Sequence, residues 1–200
     1  MFDFWFLNTN LNLASQLVLP SMGEFTWSEQ AHIIFPFLQH LGVLWLSGSI
    51  HVAHEHFITN LIKQRMFVAI DQLNVITNVD AKKYLLFLPN GENHELSLLF
   101  ASYLLRSNGK KVIYLGTSVP LDDLNKIFKL VNPDFLFCAL TNANSTIPVQ
   151  VYLNTLSRSW PNTQILITGS QIVKRRDLKI PQNCRVFGDP SSFIEFIEKN

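Results

Sequence analysis

Apolar residues recur along this chain with two different periods. From about Asn10 to Ile76 they follow the spacing of roughly 3.6 residues that is typical of helices. After a short polar stretch, Asn78–Ala81, compact apolar runs alternate with amphipathic segments. The pattern therefore predicts two domains, a helical bundle over residues 1–78 and an α/β domain over residues 79–200.

The second part is predicted to contain five strands and the helices that connect them. The strands are expected at Lys83–Leu88, Val112–Gly116, Phe135–Leu140, Gln164–Thr168 and Arg185–Phe187. The helices are expected at Glu95–Arg106, Pro120–Val131, Pro148–Trp160, briefly after Gly169–Ser170, and at Ser191–Lys199. Alternation of this kind indicates βαβ units, and the continuous apolar character of the strands indicates a parallel sheet covered on both faces. The predicted fold class is a helical bundle followed by a doubly wound, flavodoxin- or Rossmann-like parallel sheet.

A long helix is predicted over Ile50–Ile76, and one of its faces changes character along its length. The apolar part of that face is Ile58, Ile62, Met66 and Ile70, and the polar part at the start is His51, His54 and Glu55. Unpaired polar groups are costly to bury. We therefore expect the polar end to face a cavity or a ligand.

Composition narrows the class of protein. With 200 residues, 48% hydrophobic and 16% charged, the chain can bury a substantial core, and its net charge of +1 gives no electrostatic case for binding nucleic acid. Cys138 and Cys184 are not spaced as a metal pair or a disulfide framework, which favours a reducing compartment. No segment resembles a signal peptide or a membrane span, so a cytoplasmic protein without membrane partners is expected.

A histidine follows the first predicted strand, where an Asn90-Gly91 turn leads into a helix. In an open α/β sheet, ligands bind outside the carboxyl ends of the strands, so His94 is placed to reach one. Glu92 is close enough to accept from one imidazole nitrogen and leave the other for a metal. Three more predicted loops leave the same sheet edge: Thr117–Val119, Thr141–Thr146 and Gly169–Gln171. Their hydroxyls and amides suit a large, uncharged ligand, and no Gly-x-Gly-x-x-Gly or Walker motif follows a strand.

Other interpretations of these histidines stay open. His94 alone could be structural. The group His51, His54, Glu55 and His56 could instead hold zinc or a pair of metals. No zinc-enzyme motif matches that group, and no Gly-x-Ser-x-Gly indicates a serine hydrolase. We therefore predict a binding protein and not an enzyme.

Several motifs together resemble a known family. Glu92-x-His94 resembles the Asp/Glu-x-His-x-x-Gly motif of cobalamin-binding domains. Cys138-Ala139-Leu140 stands where those domains have Ser-x-Leu, and Gly169-Ser170 where they have Gly-Gly. Trp45, followed after nine residues by Glu55-His56, is similar to a signature of one group within that family. That group is the adenosylcobalamin-binding photoreceptor module of MerR-type transcriptional repressors.

The resemblance implies a cofactor, adenosylcobalamin, and roles for particular residues. His94 would be the lower axial ligand of cobalt and the metal-binding residue. The residues implied in cofactor binding are Trp45, Val52, Glu55 and His56 on the upper face, and Glu92, Asn93, His94, Thr117, Cys138, Thr141, Gly169, Ser170 and Gln171 on the α/β domain. The family also implies a homo-oligomer, dimeric or tetrameric, that responds to light or to cobalamin.

The chain departs from the family pattern at several positions. Ser97, Cys138 and Ser170 replace a glycine, a serine and a glycine, and could narrow the slot for the nucleotide tail. Leu46 stands where the photoreceptors have an upper-ligand histidine and cannot ligate cobalt, so a photoproduct with two histidine ligands is not expected unless His51 or His54 substitutes.

These departures leave two further roles open beside that of a sensor. The MerR DNA-binding domain is absent, so DNA contact is expected only through a domain outside this chain. The alternatives to a sensory domain are a corrinoid carrier for a methyltransferase and a relative that has lost cobalamin.

Overall fold

The computed structural model describes residues 51–143 and 147–200, together with residues 36, 40, 47 and 48. The chain forms two compact units, Met1–Gln72 and Leu73–Asn200. Most of the predicted N-terminal bundle, including Trp45 and Leu46, lies outside the described residues. Among those described, no helix is both long and apolar enough to cross a membrane.

The first unit contributes one long described helix, α1, over Val52–Asp71. The predicted stripe is confirmed at Ile58, Ile62 and Met66, which are buried, whereas its last member, Ile70, is half-buried. The predicted end at Ile76 is wrong. Helices in proteins depend on a packed face, and no residue from Asp71 to Ala81 is buried, with Val75 87% exposed.

The second unit alternates strands and helices throughout. Its strands are β1 Lys83–Pro89, β2 Lys111–Val119, β3 Phe135–Ala139, β4 Gln164–Thr168 and β5 Cys184–Val186. Its helices are α2 Leu96–Ser107, α3 Leu121–Val131, α4 Val149–Ser159, α5 Ser170–Val173 and α6 Pro190–Lys199. Every predicted strand and helix of this unit is present, and no end differs from the predicted one by more than three residues.

The five strands form one parallel sheet in the order β2-β1-β3-β4-β5. The predicted doubly wound parallel sheet is therefore confirmed. The chain moves from β1 outward to β2 and then returns to the other side of β1 to form β3. The crevice between β1 and β3 is the switch point of the topology, where open α/β sheets bind ligands.

Both faces of the sheet are covered by helices, as the apolar strands predict. Leu85 of β1 and Leu136 of β3 belong to a cluster that also contains Leu124 of α3 and Leu153 of α4. The opposite side of β3 packs on the last helix: the rings of Phe137 and Phe193, for example, are centred 5.1 Å apart. The buried sheet gives a rigid base for the loops at its carboxyl edge.

Strand β2 is longer than predicted. Thr117–Val119 continues the strand and is not a loop, because Val119 pairs with Pro89 of β1. The pairing register shifts twice along this stretch, and both Gly116 and Ser118 have positive φ, +79° and +54°. Such irregularities bend a strand and redirect its side chains. Here they bring the end of β2 to the loop that carries His94.

Candidate functional site

The loop after β1 is a tight turn that leads directly into α2. The N–H of Glu92 donates to the carbonyl of Pro89 at 2.9 Å, and Gly91 has a φ of +79°, which glycine adopts without strain. Helix α2 then begins at Leu96. The short connection leaves His94 at the switch-point edge of the sheet.

Glu92 connects the loops on both sides of the switch point. Its Oε2 accepts hydrogen bonds from the backbone N–H groups of Thr141 at 2.7 Å and Asn142 at 2.6 Å, which follow β3. Its Oε1 accepts from the backbone N–H of His94 at 3.1 Å and lies 2.5 Å from the imidazole Nδ1. One carboxylate therefore holds the β3 loop and the histidine together.

The electrostatics of Glu92 follow from these contacts. Its side chain is 5% exposed, and burial alone would raise the pKa of a carboxyl group. The hydrogen bonds from the His94 side chain and from the backbone of Asn142, Thr141 and His94 outweigh burial and lower the pKa to about 2. Glu92 is therefore ionised at neutral pH and is a strong acceptor for an imidazole N–H.

His94 combines a fixed ring with access to a ligand. Its side chain is 60% exposed although the carboxylate that holds it is buried. With Nδ1–H donated to Glu92, the neutral imidazole carries its lone pair on Nε2. A carboxylate that holds the far nitrogen of a histidine is the usual support of a metal-binding imidazole, because it fixes the tautomer and raises basicity. The pair is therefore suited to bind a metal ion that arrives as part of a ligand.

Two further side chains clamp the turn before His94. The Oγ of Ser118, at the end of β2, accepts from the N–H of Gly91 at 3.0 Å and donates to Oδ1 of Asn90 at 3.1 Å. From the other side, Nδ2 of Asn142 donates to the carbonyl of Gly91 at 3.1 Å. The turn is thus held on one side by the end of β2 and on the other by the loop that follows β3.

We expect Ser118→Ala to lower the free energy of unfolding by about 1 kcal/mol, since two hydrogen bonds to the turn are lost. Urea denaturation measures the loss, and hydrogen exchange should show faster exchange at the Gly91 amide. Thr155→Ala is the matched control, because its exposed hydroxyl also makes a hydrogen bond with the backbone, but within a helix and far from the turn. Equal exchange at Gly91 in wild type and Ser118→Ala would contradict the clamp.

The end of β4 approaches the end of β3 closely at Gly169. Its φ is +109° and its ψ is 156°, a region that only glycine occupies readily. A Cβ at this position would lie 2.3 Å from the carbonyl oxygen of Leu140. On either side, Leu140 N–H donates to Thr168 O and Gln171 N–H donates to Leu140 O. The backbone conformation and the close contact with Leu140 therefore require glycine at position 169, whether or not a ligand binds there.

The remaining predicted residues of this unit differ in accessibility. Ser170, which is half-buried, donates to the carbonyl of Thr141 at 3.3 Å, so the β3 and β4 loops are joined there. Asn93 is exposed, while Thr117 and Gln171 are half-buried. Cys138 is fully buried in the apolar cluster beneath α3 and α4, and burial raises the pKa of its thiol. The structure brings Glu92, His94, Thr141 and Ser170 together, and it places Cys138 in the core.

The polar residues at the start of α1 contact one another. The backbone N–H of His51 lies 3.3 Å from Nδ1 of His54, and the hydroxyl of Thr59 donates to Glu55 at 2.7 Å. His56 Nε2 is 3.6 Å from Glu55, and Val52 is 46% exposed. Within residues 51–143 and 147–200, no group of three or more His, Cys, Asp or Glu side chains is arranged to hold a metal ion. That finding contradicts the alternative of a zinc or di-metal cluster among the described residues.

Sequence reasoning missed Ser118 and Asn142 as supports of the histidine loop. Ser118 and Asn142 fell in loops noted only for their hydroxyls and amides. Their contacts with Asn90 and Gly91 span 28 and 51 positions of the chain. No local pattern marks such pairs; the alternation of strands and helices could at most have placed both loops beside the turn.

Two transcriptional repressors of Myxococcus xanthus are similar to this chain in sequence. The HTH-type transcriptional repressor CarH is 28% identical over 129 residues, which make up 64% of this chain and 42% of the repressor. The HTH-type transcriptional repressor CarA is 30% identical over 112 residues, 56% of this chain and 36% of the repressor. The chain is homologous to these repressors. It spans less than half the length of either, and no protein-family model matches it.

A solved structure supports the fold independently. The monomethylamine corrinoid protein of Methanosarcina barkeri superposes with a TM-score of 0.64 at 13% identity, over 82% of this chain and 78% of that protein. At that identity the likeness establishes the fold alone. The chain therefore has the parallel-sheet fold of a corrinoid protein, and its relatives in sequence are transcriptional repressors.

Proposed function

We propose that this chain is a cobalamin-binding sensory domain of a transcriptional regulator, with His94 as the lower axial ligand of cobalt. The observation that carries the proposal is the imidazole of His94, fixed by buried, ionised Glu92 at the switch point of the sheet. The fold of a corrinoid protein and the homology to repressors support it. DNA binding would require a domain outside this chain.

The described residues fit the chemistry of the cofactor. Cobalamin would supply a cobalt ion that can bind an imidazole nitrogen. His94 would offer Nε2, Glu92 would hold the ring, and Ser170 with Gly169 would shape the edge between β3 and β4. These groups only bind and orient, so the proposed role involves no catalysis.

The finer parts of the proposal rest on the motif resemblance. Adenosylcobalamin is the proposed form, and light or cobalamin itself the proposed signal, with a dimer or tetramer as the state that responds. Val52, Glu55 and His56 are proposed for the upper face of the cofactor. A switch of this type requires two states that the ligand binds with different affinity.

Titration of the apo-protein with adenosylcobalamin in the dark tests the proposal. We expect a base-off, histidine-on absorption spectrum in wild type, and in His94→Ala the loss of that spectrum with affinity at least about tenfold weaker. His40→Ala is the matched control, since His40 is an exposed helical histidine of the other unit. An unchanged spectrum in His94→Ala would show that another group ligates cobalt.

Illumination of the same samples separates a sensor from a carrier. A change in spectrum and sedimentation under green light would support the sensory role. Absence of a light response, together with demethylation of bound methylcobalamin by a methyltransferase, would favour the corrinoid carrier. Absence of binding in wild type would overturn both.

A further inference from the structure

The hydroxyl oxygen of Ser97 is buried without a hydrogen-bonding partner, although the residue as a whole is half-buried. Within the described part of the chain, only its Oγ and the hydroxyl of Tyr84 are buried side-chain oxygens that lack a partner. Ser97 is the second residue of α2, so no carbonyl of that helix lies four residues before it to accept from its hydroxyl. Because a buried, unsatisfied hydroxyl destabilises a folded protein, its presence calls for an explanation.

The position of Ser97 points to a ligand. It is the second residue of α2, three positions after His94, so its Cα is within about 10 Å of that of His94. Helix α2 packs against β1, β2 and β3, and it begins at the edge where the switch point lies. Tyr84, in contrast, lies at the start of β1, at the opposite edge of the sheet. Of the two unpartnered hydroxyls, only Ser97 is beside the candidate site.

Sequence adds an independent reason to connect Ser97 with the cofactor. It occupies the last position of the Glu92-x-His94-x-x-Ser97 segment, where the cobalamin motif has glycine. A hydroxymethyl group in place of glycine's hydrogen atom adds both bulk and hydrogen-bonding capacity beside the proposed cofactor site. A ligand atom that pairs with this hydroxyl would remove the cost of its burial.

We propose that the Ser97 hydroxyl forms a hydrogen bond with the nucleotide tail of the bound corrinoid, so that this chain selects corrinoids that carry the tail. The inference rests on the proposed function and adds a determinant of specificity to it. It makes two predictions of opposite sign for one substitution. Removal of the hydroxyl stabilises the apo-protein and weakens binding of the complete cofactor.

The test compares Ser97→Ala with wild type in both states. In the apo-protein we expect the urea midpoint to rise by about 0.5 M, because an unsatisfied polar atom is removed. Affinity for adenosylcobalamin should fall about tenfold, and affinity for adenosylcobinamide, which lacks the nucleotide, should stay unchanged. Ser102→Ala controls for the helix preference of alanine, since Ser102 is buried in α2 but its Oγ accepts from Arg106 at 3.4 Å.

The outcomes distinguish this inference from the proposed function. Equal affinities of wild type and Ser97→Ala for adenosylcobalamin would overturn the role of Ser97 while cobalamin binding stands. Equal weakening of adenosylcobalamin and adenosylcobinamide would do the same, because Ser97 would then not act on the tail. A midpoint that rises no more than in Ser102→Ala would contradict the unsatisfied hydroxyl. If wild type binds neither corrinoid, the proposed function itself fails.

Discussion

Gly169→Ala should lower the free energy of unfolding by about 4 kcal/mol, a loss at the upper end of what single substitutions cause. Two costs add at this position. An alanine at φ +109° and ψ 156° is strained, and its Cβ would overlap the carbonyl oxygen, carbonyl carbon and nitrogen of Leu140 at 2.3, 2.6 and 2.7 Å. Backbone atoms cannot rotate away as a side chain can, so β3 and β4 would have to separate at their carboxyl ends.

Urea denaturation of the apo-protein measures this loss, and Gly109→Ala is the matched control. Gly109 also has a positive φ, +70°, but nothing lies within 4 Å of a Cβ built on it. The control should therefore lose only about 1 kcal/mol from backbone strain. If the two variants were equally stable, the close approach of Gly169 to Leu140 would not constrain this site.

Glu92→Gln should lower the free energy of unfolding by about 3 kcal/mol. Its pKa is lowered from 4.5 to about 2, and each factor of ten in the acid dissociation constant corresponds to roughly 1.4 kcal/mol. In the glutamine side chain only the oxygen can accept, and the NH2 group is a donor. The NH2 group would therefore face either the N–H groups of Thr141 and Asn142 or those of His94, which are donors too. Glu195→Gln, which affects only an exposed ion pair with Lys199, should have little effect.

The dependence on pH gives a second measurement of the same contacts. Because the folded-state pKa of Glu92 is below its ordinary value of 4.5, its contribution is fully present above about pH 4.5. It is lost as the pH falls from 4.5 towards 2, where the carboxylate becomes protonated in the folded state too. The difference in stability between wild type and Glu92→Gln should therefore shrink over this interval. A constant difference from pH 6 to pH 2 would show that the charge of Glu92 is not what stabilises the loops.

The positions of the strands and helices in residues 79–200 were predictable because each depends on a local pattern. Buried strands such as Phe135–Ala139 are apolar throughout, and a helix such as Leu121–Val131 follows Pro120 and carries acidic residues in its first turn. The extension of β2 to Val119 was not predictable, because it depends on pairing with Pro89 across the sheet. The end of α1 at Asp71 was not predictable either, because an apolar residue such as Val75 looks the same in the sequence whether it is packed or exposed.

The candidate site divides in the same way. His94 and Glu92 are two residues apart, so their pairing was predicted from the sequence, and the hydrogen bond at Nδ1 confirms it. The two N–H groups that bind the other carboxylate oxygen come from residues 49 and 50 positions away. Only the order of strands in the sheet brings them there.

By itself, the sequence determined which segments are strands and helices, and it placed a histidine and a carboxylate at the end of the first strand. These features follow from the local alternation of apolar and polar residues and from short spacings. The tertiary structure decided that β3 lies beside β1, so that Glu92 can bind the loop that follows β3. It also brings the backbone of Leu140 so close to residue 169 that only glycine fits there. It also showed that the hydroxyl oxygen of Ser97 is buried without a partner. Each of these depends on residues that are distant in the chain and close in space, where burial and backbone contact set the energy.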